Sequence, residues 1–165
     1  MKRKIQIALI ALAGFASTSV VRSDAAENHS PKTEEQAVPF HGAIQAIEVA
    51  EVQFPKLFVD GSGSGKATHL GRFTVTYEVE GNLLTHETFG SSVFTAANGD
   101  NVFTDIIGLG TPTENPDVHS IVEVHTITGG TGRFAGATGG FIRTEFLNLV
   151  TGVTSGSFDG TIVIH

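Results

Sequence analysis

Between residues 118 and 147, two alternating runs are joined by the twelve residues Gly129-Gly130-Thr131-Gly132-Arg133-Phe134-Ala135-Gly136-Ala137-Thr138-Gly139-Gly140, six of them glycine. The flanking runs, Val118-His119-Ser120-Ile121-Val122-Glu123-Val124-His125-Thr126 and Phe141-Ile142-Arg143-Thr144-Glu145-Phe146-Leu147, have the two-residue period of a β-strand. Glycine reaches the positive-φ conformations that tight reversals and bulges require. The segment therefore joins two antiparallel neighbours, and it constrains the fold more than the chemistry.

The same period recurs upstream. Phe73, Val75, Tyr77 and Val79 fall on one face, with Arg72, Thr74, Thr76 and Glu78 on the other, which is the pattern of a half-buried antiparallel strand. Turn signals stand at Gly61-Ser62-Gly63-Ser64-Gly65, Glu80-Gly81-Asn82, Asn98-Gly99-Asp100, Pro112 to Pro116 and Thr151-Gly152. Asn98-Gly99 is the strongest short hairpin signal, since a type I′ turn needs two residues that tolerate the left-handed region. The alternation predicts strands near 41–53 (divisible into two), 66–79, 86–96, 101–109, 118–128, 140–149 and 156–164. Seven or eight short antiparallel strands with no helical period make an all-β sandwich or barrel. A closed eight-stranded barrel over 40–165 is the preferred reading, because closure removes exposed sheet edges.

The N-terminus reads as an export signal. Lys2-Arg3-Lys4 precedes an apolar run from Ile5 to Ala16, and small residues lead to Asp24-Ala25-Ala26, the layout of a signal peptide over 1–26. The run is shorter than the roughly 20 apolar residues of a membrane span, so the alternative of an uncleaved anchor ranks second. Residues 27–39 read as a polar, flexible leader. Removing Lys2, Arg3, Lys4, Arg22 and Asp24 leaves six basic and sixteen acidic residues, a net of −10 with histidine neutral. Such a chain repels nucleic-acid backbones. The mature protein is expected in the periplasm or secreted, without a stable membrane span. It has no cysteine and thus no disulfide, so stability rests on a core for which twelve phenylalanines are available.

Few residues point to chemistry. Gly61-Ser62-Gly63-Ser64-Gly65-Lys66-Ala67 fails as a phosphate loop, because Asp60 and Ala67 stand where glycine and a hydroxyl belong and no helix follows; it reads as a flexible turn. A hairpin that keeps Val122 and Val124 with Ile142 and Phe146 puts His119, Glu123 and His125 on the face of Arg143 and Glu145. Glu123, His125, Arg143 and Glu145 are therefore the candidate catalytic residues, as an acid/base or ligand-orienting patch. A histidine–carboxylate metal site lacks a third ligand fixed by spacing, so neither metal nor cofactor is assigned. The patch is expected on the outer wall, since a small barrel filled with phenylalanine has little room for two carboxylates. Ile121, Phe141 and Leu147 on the same face keep an interior site open. Tyr77 is the only tyrosine; its hydroxyl suits an apolar cavity or a wet rim. With Phe73 and Phe103 it is a candidate ligand-binding residue.

Ile127-Thr128-Gly129-Gly130-Thr131-Gly132-Arg133-Phe134-Ala135-Gly136-Ala137-Thr138-Gly139 resembles the glycine-rich hairpin of allene oxide cyclase-like and dirigent-like barrels. Ala67 to Thr74, Phe94 to Asp100 and Thr151 to Gly160 are similar to segments of small exported bacterial proteins grouped with them, and the resemblance covers about 40–164. It implies an eight-stranded antiparallel barrel with an interior cavity, which plant relatives use to hold a reactive apolar substrate and steer its cyclisation or coupling, often as dimers or trimers. No catalytic residue is carried over, because the plant enzymes' positions do not match this chain residue by residue. Three functions compete: an exported barrel that binds or steers a small apolar molecule, a homo-oligomer included; a non-catalytic barrel filled by Phe73, Phe94, Phe103 and Phe158; and an extracytoplasmic enzyme centred on His125 and Glu123.

Overall fold

The computed structural model describes residues 36–165; the expected signal peptide and most of the leader lie outside the described residues. Eight strands follow in order: β1 Ala37–Gln53, β2 Lys56–Ala67, β3 Gly71–Asn82, β4 Glu87–Ala96, β5 Asn101–Pro112, β6 Val118–Gly130, β7 Thr138–Asn148 and β8 Val153–Val163. Each pairs antiparallel with the next, and β8 pairs back with β1. The result is the closed, eight-stranded, all-β barrel that the alternation predicts. β1 starts at Ala37, so Ala37–Pro39 belong to the barrel, with Ala37 opposite Val163.

Strand alternation sorts side chains into an interior and an outer wall. One end of the interior, beside the 68–70, 97–100 and 131–137 turns, is filled by aromatic rings. Phe40, Phe73, Phe94, Phe141 and Phe158 are all buried there. Their centroids lie 4.8 Å apart for Phe141 and Phe158, 5.3 Å for Phe40 and Phe158, and 5.4 Å for Phe73 and Phe94, the tilted contacts that aromatic pairs prefer. Phe134, on a single 3-10 turn over Gly132–Phe134, and Leu70 are buried with them. Burying a ring of this size is worth about 1.5–3 kcal/mol, and this plug stands in for the missing disulfides.

The Gly61–Gly65 segment is strand, not turn: it forms the middle of β2. Its glycines face inward, where large neighbours need the room. A Cβ on Gly65 would lie 2.6 Å from Phe73 Cζ, and one on Gly61 would land on the Tyr77 ring. The 97–100 hairpin is present, but only Gly99 takes a positive φ (89°), so the expected I′ geometry with two left-handed residues is not formed; Asn98 Oδ1 instead accepts from the Asp100 N–H at 3.2 Å. In the 129–140 segment Gly132 is left-handed at φ 56°. Gly130 is not; a Cβ there would meet Phe134 Cβ at 2.6 Å.

Candidate functional site

β6 and β7 bring their polar residues together as the hairpin register requires: Glu123 stands opposite Arg143, His125 opposite Phe141 and Ile121 opposite Glu145. The face they share is the interior one, which corrects the outer-wall expectation. Glu123 is 4% exposed, His125 0%, Arg143 1% and Glu145 1%, whereas Val124 is 52% and Ile142 53% exposed. The physical reason is that the phenylalanines fill only one end, and the charges enter as mutually compensating groups. His119 lies on the same face at the barrel's other end.

Arg143 is the centre of the cluster. Its Nε donates to Glu145 Oε2 at 2.8 Å and its Nη2 to the same oxygen. Nη1 stands 3.4 Å from Glu123 Oε2, an ion-pair distance without an aligned hydrogen bond. The guanidinium also lies over the Tyr77 ring, 4.8 Å from its centroid, a cation–π contact. His125 Nε2 is 3.1 Å from Glu123 Oε2, and Nδ1 is 2.9 Å from Thr104 Oγ1, which is 2.6 Å from Ser92 Oγ. With Glu123 ionised, one assignment uses every group: Ser92 donates to Thr104, Thr104 to Nδ1, and Nε2–H to Glu123. His125 also stacks on Phe141 at 4.5 Å, where the polar layer meets the aromatic plug.

Burial holds the His125 imidazole below its ordinary pKa, against the pull of Glu123, so it is neutral at physiological pH. Burial alone would raise Glu123, but the His125 hydrogen bond and the Arg143 charge outweigh it and keep this carboxylate low. Glu145 is shifted upward by burial despite Arg143, with Glu123 adding to the shift. One guanidinium thus serves two carboxylates.

Two further groups complete the layer. Glu48 on β1, Gly61 on β2 and Tyr77 on β3 are directly paired in one cross-strand row. Because Gly61 has no side chain, the Tyr77 ring lies across β2 and its hydroxyl donates to Glu48 Oε1 at 2.8 Å. Burial pushes Glu48 up to about 7, opposed by the Tyr77 hydrogen bond and reinforced by Glu145. Tyr77 is itself raised, by burial and then by Glu48. Sequence reasoning did not single out Glu48, although its parity with Ile44 and Ala46, both buried, was a signal.

Beyond this layer, between the 83–86 and 149–152 turns, lies a cavity of about 640 Å³. Its walls are apolar, with Leu57, Val59, Val79, Ile121, Leu147 and Leu149 among them, and Glu48, Tyr77 and Glu123 also line it. Of the candidate ligand-binding residues only Tyr77 reaches this space. Phe73 is buried in the plug. Phe103 points to the outer wall, since Val102, Thr104 and Ile106 take the interior positions of β5. His125, Arg143 and Glu145 sit behind the lining and touch it through Glu123 and Tyr77. Among the described residues no group of three or more ligating side chains is arranged to hold a metal ion. No family model, curated protein or solved structure matches the chain.

Proposed function

We propose that the chain is an exported barrel that holds a small apolar molecule in the cavity at the unplugged end, as the resemblance to allene oxide cyclase-like and dirigent-like barrels implies. The observation that carries this reading is the cavity: about 640 Å³, walled by aliphatic side chains and floored by Glu48, Tyr77 and Glu123. Ligand sites are of this kind, mostly apolar with a few convergent polar groups, and an eight-stranded barrel has room for one small ligand. A steering or isomerising role is the second reading. Glu48 favours it, because a carboxyl group with a pKa of about 7 can give or take a proton near neutral pH.

Gly110 offers a direct test. It lines the cavity, and a Cβ there would meet nothing closer than His86 O at 4.0 Å. Gly110→Leu therefore directs a side chain toward the cavity from a position where the Cβ itself has room. The purified protein is expected to bind 1-methylnaphthalene, read by its fluorescence, and to carry small molecules detectable by native mass spectrometry. Gly110→Leu should abolish both signals and leave the melting temperature nearly unchanged. Equal binding by the variant would place the ligand elsewhere, and no binding by either protein would overturn the cavity reading.

A further inference from the structure

The polar floor of the cavity has a one-sided hydrogen-bonding character. Glu48 Oε1 accepts from Tyr77, while Oε2 takes no hydrogen bond from any described residue. Glu123 Oε2 serves His125 and Arg143, and its Oε1 is likewise unused. The Tyr77 hydrogen is committed to Glu48, which leaves the phenolic oxygen as an acceptor only. Of the donors in the layer, Arg143 Nε and Nη2 are bonded to Glu145 and His125 faces Glu123, while Arg143 Nη1 is buried beside Glu123 without an aligned hydrogen bond. No lysine or arginine lines the cavity, whereas Glu48, Glu87 and Glu123 do. In the layer as a whole, the carboxylates Glu48, Glu123 and Glu145 outnumber the single guanidinium of Arg143.

A second observation also points to a missing partner. Thr88 lines the same cavity, and its buried Oγ1 has no hydrogen-bond partner among the described residues. Thr88 is paired with Gly108, and Gly108 with Glu123. Thr88 and Glu123 are thus separated only by a position without a side chain. Buried polar atoms left without a partner are uncommon and call for an explanation.

Resting on the cavity reading above, we infer that the ligand is an apolar or aromatic molecule whose head donates hydrogen bonds and carries positive charge, a protonated primary amine, seated between Glu48 Oε2, Glu123 Oε1 and Thr88 Oγ1. An ammonium has three donors and no acceptor, the complement of this floor. A carboxylate head would bring a further acceptor to the unpartnered oxygens of Glu48 and Glu123, and a further negative charge to a layer with three carboxyl groups and one guanidinium. A neutral apolar molecule falls between the two.

Three probes of one shape separate the possibilities: 1-naphthylmethylamine, 1-methylnaphthalene and 1-naphthoate, titrated into the purified exported protein by calorimetry at pH 7.5. The amine is expected to bind at least about tenfold more tightly than the carboxylate, with the hydrocarbon in between. Glu48→Gln, which keeps the size of the side chain and its bond with Tyr77, should narrow that ratio severalfold. Thr88→Val should weaken the amine more than the hydrocarbon. A carboxylate that binds as well as the amine, or a ratio untouched in Glu48→Gln, overturns the inference and leaves the cavity reading standing. Failure of all three probes to bind overturns both.

Discussion

The aromatic plug and the polar layer beside it are made by the same strands and are equally well buried, yet they are held in different ways. β7 passes from one to the other within five residues: Phe141 belongs to the aromatic plug, Arg143 and Glu145 to the polar layer. Rings need only apolar neighbours, and their burial is favourable roughly in proportion to the area removed from water. The guanidinium and the carboxylates gain nothing from burial itself; each is tolerated because another charge compensates the lost hydration. Stability is thus concentrated in the plug, while the layer that borders the cavity is a balance of charges that a single substitution can upset.

A pair of substitutions tests that contrast. Phe94→Ala removes a ring from the plug and should cost about 3–5 kcal/mol. Arg143→Met removes the cation from the layer and should also cost about 3–5 kcal/mol, because two buried carboxylates are left uncompensated. Their pH dependence should separate them. Without Arg143, Glu123 and Glu145 can shed their charge by taking up protons, so the loss in Arg143→Met should shrink between pH 8 and pH 5, and that in Phe94→Ala should not. Denaturant unfolding at the two pH values provides the measurement. A pH-independent loss in Arg143→Met would mean that the layer is not held by charge.

The contrast between plug and layer explains what could be read from the sequence. Alternation placed Glu123, His125, Arg143 and Glu145 on one face of a hairpin, and they are on one face. It could not say that the face points inward, because the opposite one carries Val122, Val124, Ile142 and Phe146, all exposed and apolar. A wall with aliphatic residues on both sides has no hydrophobic signature of its own. β2 was missed for a different reason. Glycines at 61, 63 and 65 erase the period where the neighbours' rings need space, so the strand looks like a turn. Tyr77 could be identified as a polar group for a cavity. Its pairing with Glu48 could not, since their meeting depends on the empty position at Gly61 on the strand between them. Phe103 was misplaced although Asp105, two residues on and exposed, marks its face as the outer one.

Gly61 is therefore the next place to press. Gly61→Ala puts a methyl group where the Tyr77 ring lies, and overpacking of this kind costs about 1–3 kcal/mol. The ring must move, so the 2.8 Å bond to Glu48 should be lost as well. In a Tyr77→Leu background, with no ring to displace, the same alanine should cost much less. Thermal melts of the four proteins form a double-mutant cycle. Additive effects would show that Gly61 and Tyr77 are not coupled through space.

The smallest effect concerns Glu48 and depends on sign. Its pKa rises from the ordinary 4.5 to about 7 on folding, so between those values the folded protein holds a proton that the unfolded chain releases. By linkage, stability from this group is complete below about pH 4.5 and is lost as pH rises through about 7. His125 works in the opposite sense. Its folded pKa lies below the ordinary 6.5, so its contribution is present above that value and is lost as pH falls through the folded pKa. The slope of the wild-type curve mixes the two, but the difference between wild type and Glu48→Gln isolates Glu48, because glutamine mimics the protonated carboxyl at every pH. The two proteins should melt together near pH 5, and Glu48→Gln should melt a few degrees higher by pH 8. A constant difference across that range would mean that Glu48 titrates as an ordinary exposed carboxylate, and the polar layer would then lose its one group poised to exchange a proton near neutral pH.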